Sequence, residues 1–502
     1  MYDRKGRAQN THLLLTVDTC FPGPTEPLAP IAREFPYKLG MDQKSTVYFF
    51  GGAGTVTGSN FLLQSTPEQG RGASFLIDCG LFQGEHSFDD ANWKPFPFDP
   101  GSITHLINTH AHIDHIGRIP KLVKDGYKGR ILSTEATKAL ASPMLMDAME
   151  LSRKTALKIG KEPLYDEHDI AQALSQWDTV PYHKPVELSD GFTVELLDSG
   201  HILGSAMAKF TRGGKSIVFT GDLGGGNSPL LPLCENPAGI DYLVMESVYG
   251  DKIQKDKDRE TRVAALAQYI KDVATRGGTL LIPAFSTERT QDLLYDIREL
   301  LMDKKVPSMP VFLDSPLAEK ITESYEEYPQ YFNEAMQARI KAGEHLFRFA
   351  ELHYVHDANE SREIAAHHGA KIVIAGSGMS NGGRVVSHEA EILPDKNSTL
   401  LIVGYQAAGS LGRKLAEGNK NVSIKGQKIS VRCRVETIYS YSAHMDSAQL
   451  LEFVEKIGPS LKEVFVTMGE PASSAFLVQR IRDYAGLHAT APEEGSKAEL
   501  EL

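Results

Sequence analysis

From Ser45 onward, short apolar runs rich in β-branched and aromatic residues recur along the chain, most of them closed by a glycine or an aspartate. They predict strands over 46–50, 61–64, 74–77, 103–108, 193–197, 216–220 and 242–245. One long helical stretch, 142–158, interrupts the series. Beyond Asp251 the rhythm changes. Val263, Leu266, Ile270 and Val273 fall on one helical face and predict a helix over 259–274. A strand at 279–282, a helix at 288–301 and strands at 311–313, 372–375 and 400–403 follow, an alternation that predicts an α/β layout with a largely parallel sheet. The charge run 252–259 reads as a solvated loop between the two halves. Neither end shares this patterning: 1–44 reads as a weakly ordered extension and 492–502 as a frayed polar tail.

At about 150 residues per domain, 502 residues make roughly two to four domains. A composition of 41% hydrophobic and 24% charged residues is that of an ordinary globular protein. No apolar run approaches the roughly 18–20 residues of a bilayer-spanning helix, so no membrane partner is expected. Cys20, Cys79, Cys234 and Cys433 are too few and scattered for a disulfide framework or a cysteine-rich zinc finger, and a cytoplasmic setting follows. The net charge of −12 argues against a protein that coats nucleic acid through overall basicity, but leaves room for a local basic cleft. The 17 histidines, unevenly placed, change the picture most.

Thr109-His110-Ala111-His112-Ile113-Asp114-His115 directly follows the predicted strand 103–108, in a loop at a strand's C-terminal end. Three histidines and an aspartate supply the nitrogen and oxygen donors zinc accepts. The one-residue gap lets His110 and His112 point at one ion, while Asp114 and His115 face another direction and serve a second ion about 3.5–4 Å away. Asp198-Ser199-Gly200-His201 and Thr220-Gly221-Asp222 each follow a predicted strand and add a donor beside a glycine; Asp222, with two oxygens, can bridge both ions. Asp78 ends the strand at 74–77. Singly, strand-end residues of this kind are usually turn formers. In this order they form a specific set.

That set resembles the metallo-β-lactamase superfamily, and more closely its β-CASP branch, the nucleic-acid-processing group. Gly51-Gly52-Ala53-Gly54-Thr55-Val56-Thr57-Gly58-Ser59 and Gly80-Leu81-Phe82-Gln83-Gly84 resemble that branch's opening. Glu246-Ser247-Val248-Tyr249-Gly250 resembles its motif A, and Ser442-Ala443-His444-Met445-Asp446 its motif B. Ile282-Pro283-Ala284-Phe285, Asp314-Ser315-Pro316, Gly376-Ser377-Gly378-Met379 and Gly404-Tyr405-Gln406 resemble the inserted domain. The likeness covers about residues 45–490, with relatives of the polyadenylation-factor endonuclease as the nearest match and RNase J more distant.

The resemblance implies an α/β protein: a four-layered αβ/βα metallo-β-lactamase domain over 45–250 and 426–491, with an α/β β-CASP domain inserted at 251–425. It implies a two-zinc site of His110, His112, Asp114, His115, His201 and Asp222, with Asp78, Asp114, Glu246 and His444 in catalytic roles. His444 would protonate the leaving 3′ oxygen, with Glu246 holding its ring. Ser377, Gly378 and Met379 would present backbone N–H groups to a phosphate, and Arg289, Arg384 and Arg413 would neutralise others. His388 matches a family position without an assigned role; Tyr249 and Tyr405 are stacking or core residues. One departure stands out: Met468 lies where the family's second metal takes a histidine, and a thioether is a poor zinc ligand, so the second zinc is expected to be weak. The expected function is a zinc-dependent ribonuclease acting on single-stranded RNA, inside the strand or from an end. A non-catalytic RNA-binding paralogue and a small-molecule hydrolase are the alternatives, and a homodimer is the open question of assembly.

Overall fold

The computed structural model describes residues 44–66, 72–84, 87–253, 258–404, 406 and 409–502. The extension expected over 1–44 therefore lies, but for Lys44, outside the described residues, as does Tyr405.

Strand Ser45–Gly51 alternates buried and half-buried positions, with Val47 and Phe49 turned inward, as the two-residue period of a half-buried strand requires. It belongs to a seven-stranded sheet ordered Lys497–Leu500, Ser45–Gly51, Asn60–Ser65, Ser74–Ile77, His105–Ile107, Arg130–Ser133, Trp177–Thr179. A second seven-stranded sheet runs Ala489–Thr490, Glu463–Thr467, Tyr242–Glu246, Lys215–Phe219, Ala206–Arg212, Thr193–Asp198, Val186–Glu187. Their inner faces share one core, in which Phe49, Phe75 and Ile77 meet Phe210, Phe219 and Phe465. Leu122, Leu140, Leu145 and Ile170, from helices Ile119–Lys124, Glu135–Ile159 and Glu167–Ser175, cover the outer face of the first sheet at Leu76, Leu106 and Ile131. Helices Ser447–Ile457 and Pro471–Arg480 cover the second through Leu450, Val454 and Leu477. Helix, sheet, sheet, helix: these are the four layers.

The third sheet is wholly parallel, with six strands ordered Leu352–Tyr354, Val311–Asp314, Lys371–Ala375, Thr279–Pro283, Thr399–Val403, Arg434–Ile438. Its central strands are buried on both faces, which is why they read as unbroken apolar runs. Leu280 and Ile282 pack toward Leu266, Ile270 and Leu294, while Leu281 packs toward Val385 and Leu415. The chain leaves the second sheet after Tyr242–Glu246 and rejoins it at Glu463–Thr467, which pairs in parallel with the strand it left.

Three expectations need correction. The boundary expected at 425 falls inside the third sheet's run of strands, because Arg434–Ile438 pairs with Thr399–Val403. That edge strand is half-exposed along most of its length and carries no apolar run. The long helix starts at Glu135, seven residues early, and continues through Pro143; Thr134 caps it by accepting from Thr137 N. The polar tail is not frayed. Lys497–Leu500 adds to the edge of the first sheet against Ser45–Gly51, with Leu500 and Leu502 buried, and Ser45 Oγ donates to Leu502 O at 2.7 Å. Its alternation of charged and apolar residues is an edge-strand pattern. No helix among the described residues is long and apolar enough to cross a membrane.

Replacing Leu500 by Ala is expected to cost about 2–3 kcal/mol, the usual loss on truncating a buried leucine. Urea unfolding checks it: an unchanged midpoint would mean a frayed tail.

Candidate metal centre

The donors sit in loops that leave neighbouring strand ends and must pass close to one another. Ser59 N donates to Asp114 O at 2.9 Å and Cys79 N to His115 O at 2.8 Å, pinning the His110–His115 segment to the loops around Ser59 and Gly80. A Cβ on Gly80 would lie 1.5 Å from Asp114 O, so only glycine fits. Gly221, at φ 54°, brings Asp222 past Thr109, whose Oγ1 would lie 2.6 Å from a Cβ there.

His112 Nδ1 lies 3.2 Å from His110 Nε2 and 3.1 Å from His201 Nε2. Asp222 Oδ2 lies 3.5 Å from His110 Nε2 and 3.4 Å from His201 Nε2. Four donors converge on one point. A tetrahedral ion with bonds of 2.0–2.1 Å sets its ligands about 3.3 Å apart, so the separations fit such a metal. Burial, with the neighbouring rings, holds His112 and His201 well below the ordinary histidine range, leaving their lone pairs available. The other oxygen of Asp222 faces a second group. Oδ1 is 3.3 Å from His115 Nε2, which is 3.9 Å from Asp114 Oδ2. Neither Asp222 Oδ1 nor His115 Nε2 has a hydrogen-bond partner among the described residues, although both are buried. Such orphaned buried atoms are what metal ligands look like without their ion.

Asp78 stands behind this group rather than in it. Its carboxylate accepts from Ser59 Oγ, Asn108 Nδ2, Thr109 N and Thr109 Oγ1, and lies 2.7 Å from His115 Nδ1. Every lone pair is spoken for, so Asp78 acts through His115, fixing the ring's orientation as partners of ligating histidines do. Ser59, Asn108 and Thr109 escaped the sequence reading; the signal was the Asn-Thr pair just before His110. Asp198 is not among the converging donors: its Oδ1 accepts from Gly200 N, and burial pushes its carboxyl up to about 7.

Beside Asp222 lies a second constellation. Asp222, Glu246 and His444 offer ligand atoms within 4.8 Å of one another. Glu246, fully buried, places Oε1 3.0 Å from His444 Nδ1 while accepting from Leu223 N at 2.7 Å; Oε2 accepts from Val248 N at 3.2 Å. Burial disfavours charge on His444, yet Glu246 outweighs it and raises the imidazole to about 9.

The phosphate-binding candidates fare unevenly. Arg384 is spent on Asp314 Oδ1 at 2.5 Å and on the carbonyls of Val355 and His356; Arg413 pairs with Glu417 on an exposed helix face. His388 Nε2 lies 2.6 Å from the same Asp314. Ser377, Gly378 and Met379 form the loop after Lys371–Ala375, held by Gln406 Nε2 donating to Gly378 O and Gly412 N to Met379 O. Arg289 is buried, with Nη2 3.5 Å from Glu288 Oε2. Tyr249 is buried with its ring edge-on to His444. Met468 packs in the apolar core with Phe49 and Phe61, its sulfur against Gly52.

Family models match three stretches: the metallo-beta-lactamase superfamily at residues 54–258, the Beta-Casp domain at 290–415 and the Zn-dependent metallo-hydrolase RNA specificity domain at 428–492. Ribonuclease TTHA0252 of Thermus thermophilus is 34% identical over 406 residues, 81% of this chain and 90% of the relative. Transcription termination factor FttA of Methanocaldococcus jannaschii is 31% identical over 449 residues, 87% of this chain and 68% of the relative. A crystal structure titled a protein of unknown function from Enterococcus faecalis V583 shares the fold with a TM-score of 0.52 at 13% identity, covering 91% of this chain and 100% of that one. The chain belongs to the β-CASP branch of the metallo-β-lactamase superfamily, a family of metallo-hydrolases.

His110→Ala and Asp222→Ala are expected to lose bound metal, the carboxylate variant more of it because both donor groups meet at Asp222. Metal counted by mass spectrometry checks this, and unchanged content in either variant would remove that ligand from the set.

Proposed function

We propose that the protein is a zinc-dependent ribonuclease that hydrolyses phosphodiester bonds of single-stranded RNA. The observation that carries the reading is the shared carboxylate: Asp222 faces His110 and His201 with one oxygen and His115 with the other, beside the Glu246–His444 pair. The match to an RNA specificity domain and the relative named a ribonuclease support RNA as the substrate. The free thiols of Cys79, Cys234 and Cys433 agree with a reducing cytoplasm.

Two zinc ions, when bound, would lower the pKa of a shared water and neutralise charge on the phosphate. His110, His112, His201 and Asp222 would hold one; Asp114, His115 and Asp222 would hold the other. Asp114, whose carboxyl burial holds above the usual carboxylate range, is placed to take the proton that the attacking water loses. The water oxygen bonds to phosphorus, the P–O3′ bond breaks, and His444 gives its proton to the departing oxygen. The products are a 5′-phosphate and a 3′-hydroxyl. Purified protein with zinc, incubated with end-labelled RNA and DNA oligonucleotides, tests the reading: RNA should be cut, and binding without cutting would favour the non-catalytic paralogue.

His444→Ala should keep its zinc and slow cleavage by about 10²–10⁴-fold, and a sulfur leaving group, which needs no proton, should restore most of the rate. The acid works in its protonated form, so the rate should fall as pH rises through about 9. Glu246→Gln removes the charge that raises this value, so the fall should begin at lower pH; an unshifted profile would dismiss His444 as the acid.

Met468 offers no nitrogen to the second ion, which leaves it three protein ligands and a place for water. After dialysis the protein should hold between one and two zinc ions per chain and gain activity with added zinc or manganese. Met468→His tests this: it should raise the zinc count if the position faces the second site. Two tightly held ions in the wild type would dismiss the weak site.

A further inference from the structure

Arg289 is the buried cation that the fold leaves unused. Its side chain is 7% exposed, and neither Nε nor Nη1 has a hydrogen-bond partner among the described residues. Leaving two guanidinium donors dry and unpaired is costly, and such donors call for an explanation. The nearest carboxylate does not supply one: Glu288 Oε2 is 3.5 Å from Nη2, too long for a good hydrogen bond. Burial raises the carboxyl of Glu288, and burial together with Glu288 raises that of Asp292 well above its ordinary range, so this acidic pair does not cancel the guanidinium charge. The backbone at Glu288 is itself unusual for a side-chain-bearing residue, with φ 64° and ψ −57°, a strain that concentrates at functional positions.

The surroundings point the same way. Arg289 opens the helix Arg289–Met302, bordered by Gly404, where an added Cβ would lie 3.5 Å from the guanidinium carbon. It lies close enough to His444 and Tyr249 to act electrostatically on both. His444 in turn stacks within 4.7 Å of His201 in the donor cluster. By contrast Arg262, equally deep, spends Nη1 on Asn227 O and Ser440 O and Nη2 on Asp296.

We propose that Arg289 is a catalytic residue that grips the scissile phosphate, its Nε and Nη1 forming a two-pronged contact with the non-bridging oxygens on the side away from the metal donors. The proposal rests on the ribonuclease reading and adds to it the group that offsets the charge gained by the phosphate as water adds. A guanidinium matches two phosphate oxygens at once, which an ammonium does not.

Cleavage kinetics of the zinc-loaded wild type, Arg289→Ala and Arg289→Lys test it, with melting temperature and bound zinc measured on each. Arg289→Ala should lower kcat by about 10²–10³-fold while KM stays within about fivefold, and Arg289→Lys should lose about tenfold. Melting temperature and zinc content should match wild type, and added guanidinium should restore part of the alanine variant's rate but none of the wild type's. Variants that keep kcat within about threefold of wild type overturn the proposal, as does a loss confined to KM. Lowered zinc or melting temperature without guanidinium rescue in either variant assigns Arg289 a structural role and overturns it too. A wild type that leaves RNA intact overturns the ribonuclease reading and this proposal with it; a wild type that cuts beside variants that cut equally well overturns this proposal alone.

Discussion

The structure turns on one carboxylate with two faces. Asp222 can serve His110 and His201 through one oxygen and His115 through the other only if three separate loops hold their rings within a few tenths of an ångström. Lone pairs directed at one another repel, so the frame must be stiff where the ligands are not self-supporting. Backbone bonds between loops provide that stiffness. Ala206 N donates to Thr109 O, Gly224 N to Ser199 O and Gly225 N to Ala443 O, so each donor loop is tied to the next by main chain rather than by side chains.

The inserted domain reinforces the same loops from the other side. Arg262 reaches across to Asn227 O and Ser440 O, stacks over the Tyr441 ring at 4.2 Å and pairs with Asp296, which also accepts from Tyr441 Oη. Ser228 Oγ donates to Asp292, and Leu203 N to Tyr325 Oη. Asn227 and Ser228 follow Asp222, Leu203 follows His201, and Tyr441 precedes His444. Every contact lands a few residues from a donor or from the acid. A buried pair of this kind costs several kcal/mol to break on one side only, so the third sheet holds the site's geometry as well as adding surface.

Much of this was legible in the chain. Strands buried on both faces announced themselves as apolar runs, and the donors stood at their ends in an order with few other meanings. What escaped notice had a common physical cause. Arg434–Ile438 and Lys497–Leu500 are edge strands, where a polar outer face hides the period that marks an inner one. Pro143 read as a helix start, since sequence alone does not show that the turn before it is already formed. Among site residues, the arginines looked alike because whether a guanidinium is spent or spare depends on distant partners. Asp314 claims Arg384 across 70 positions, and no local pattern shows that debt. Asp78 looked like a reacting group for the same reason, its four partners being scattered between Ser59 and His115.

The pairing of Tyr242–Glu246 with Glu463–Thr467 bears on how the protein comes into being. Two strands that lie side by side in the folded sheet are separated during synthesis by the whole inserted domain, and Ser45–Gly51 waits longer still for Lys497–Leu500. Such distant pairings form late, after nearer contacts have closed the loops between them. A ribosome-bound chain that has already emerged through Asp222 therefore carries all six donors but neither His444 nor the strand that completes the second sheet. Capacity to cut arrives only with the last tenth or so of translation, so an unfinished chain is harmless to the message from which it is being read.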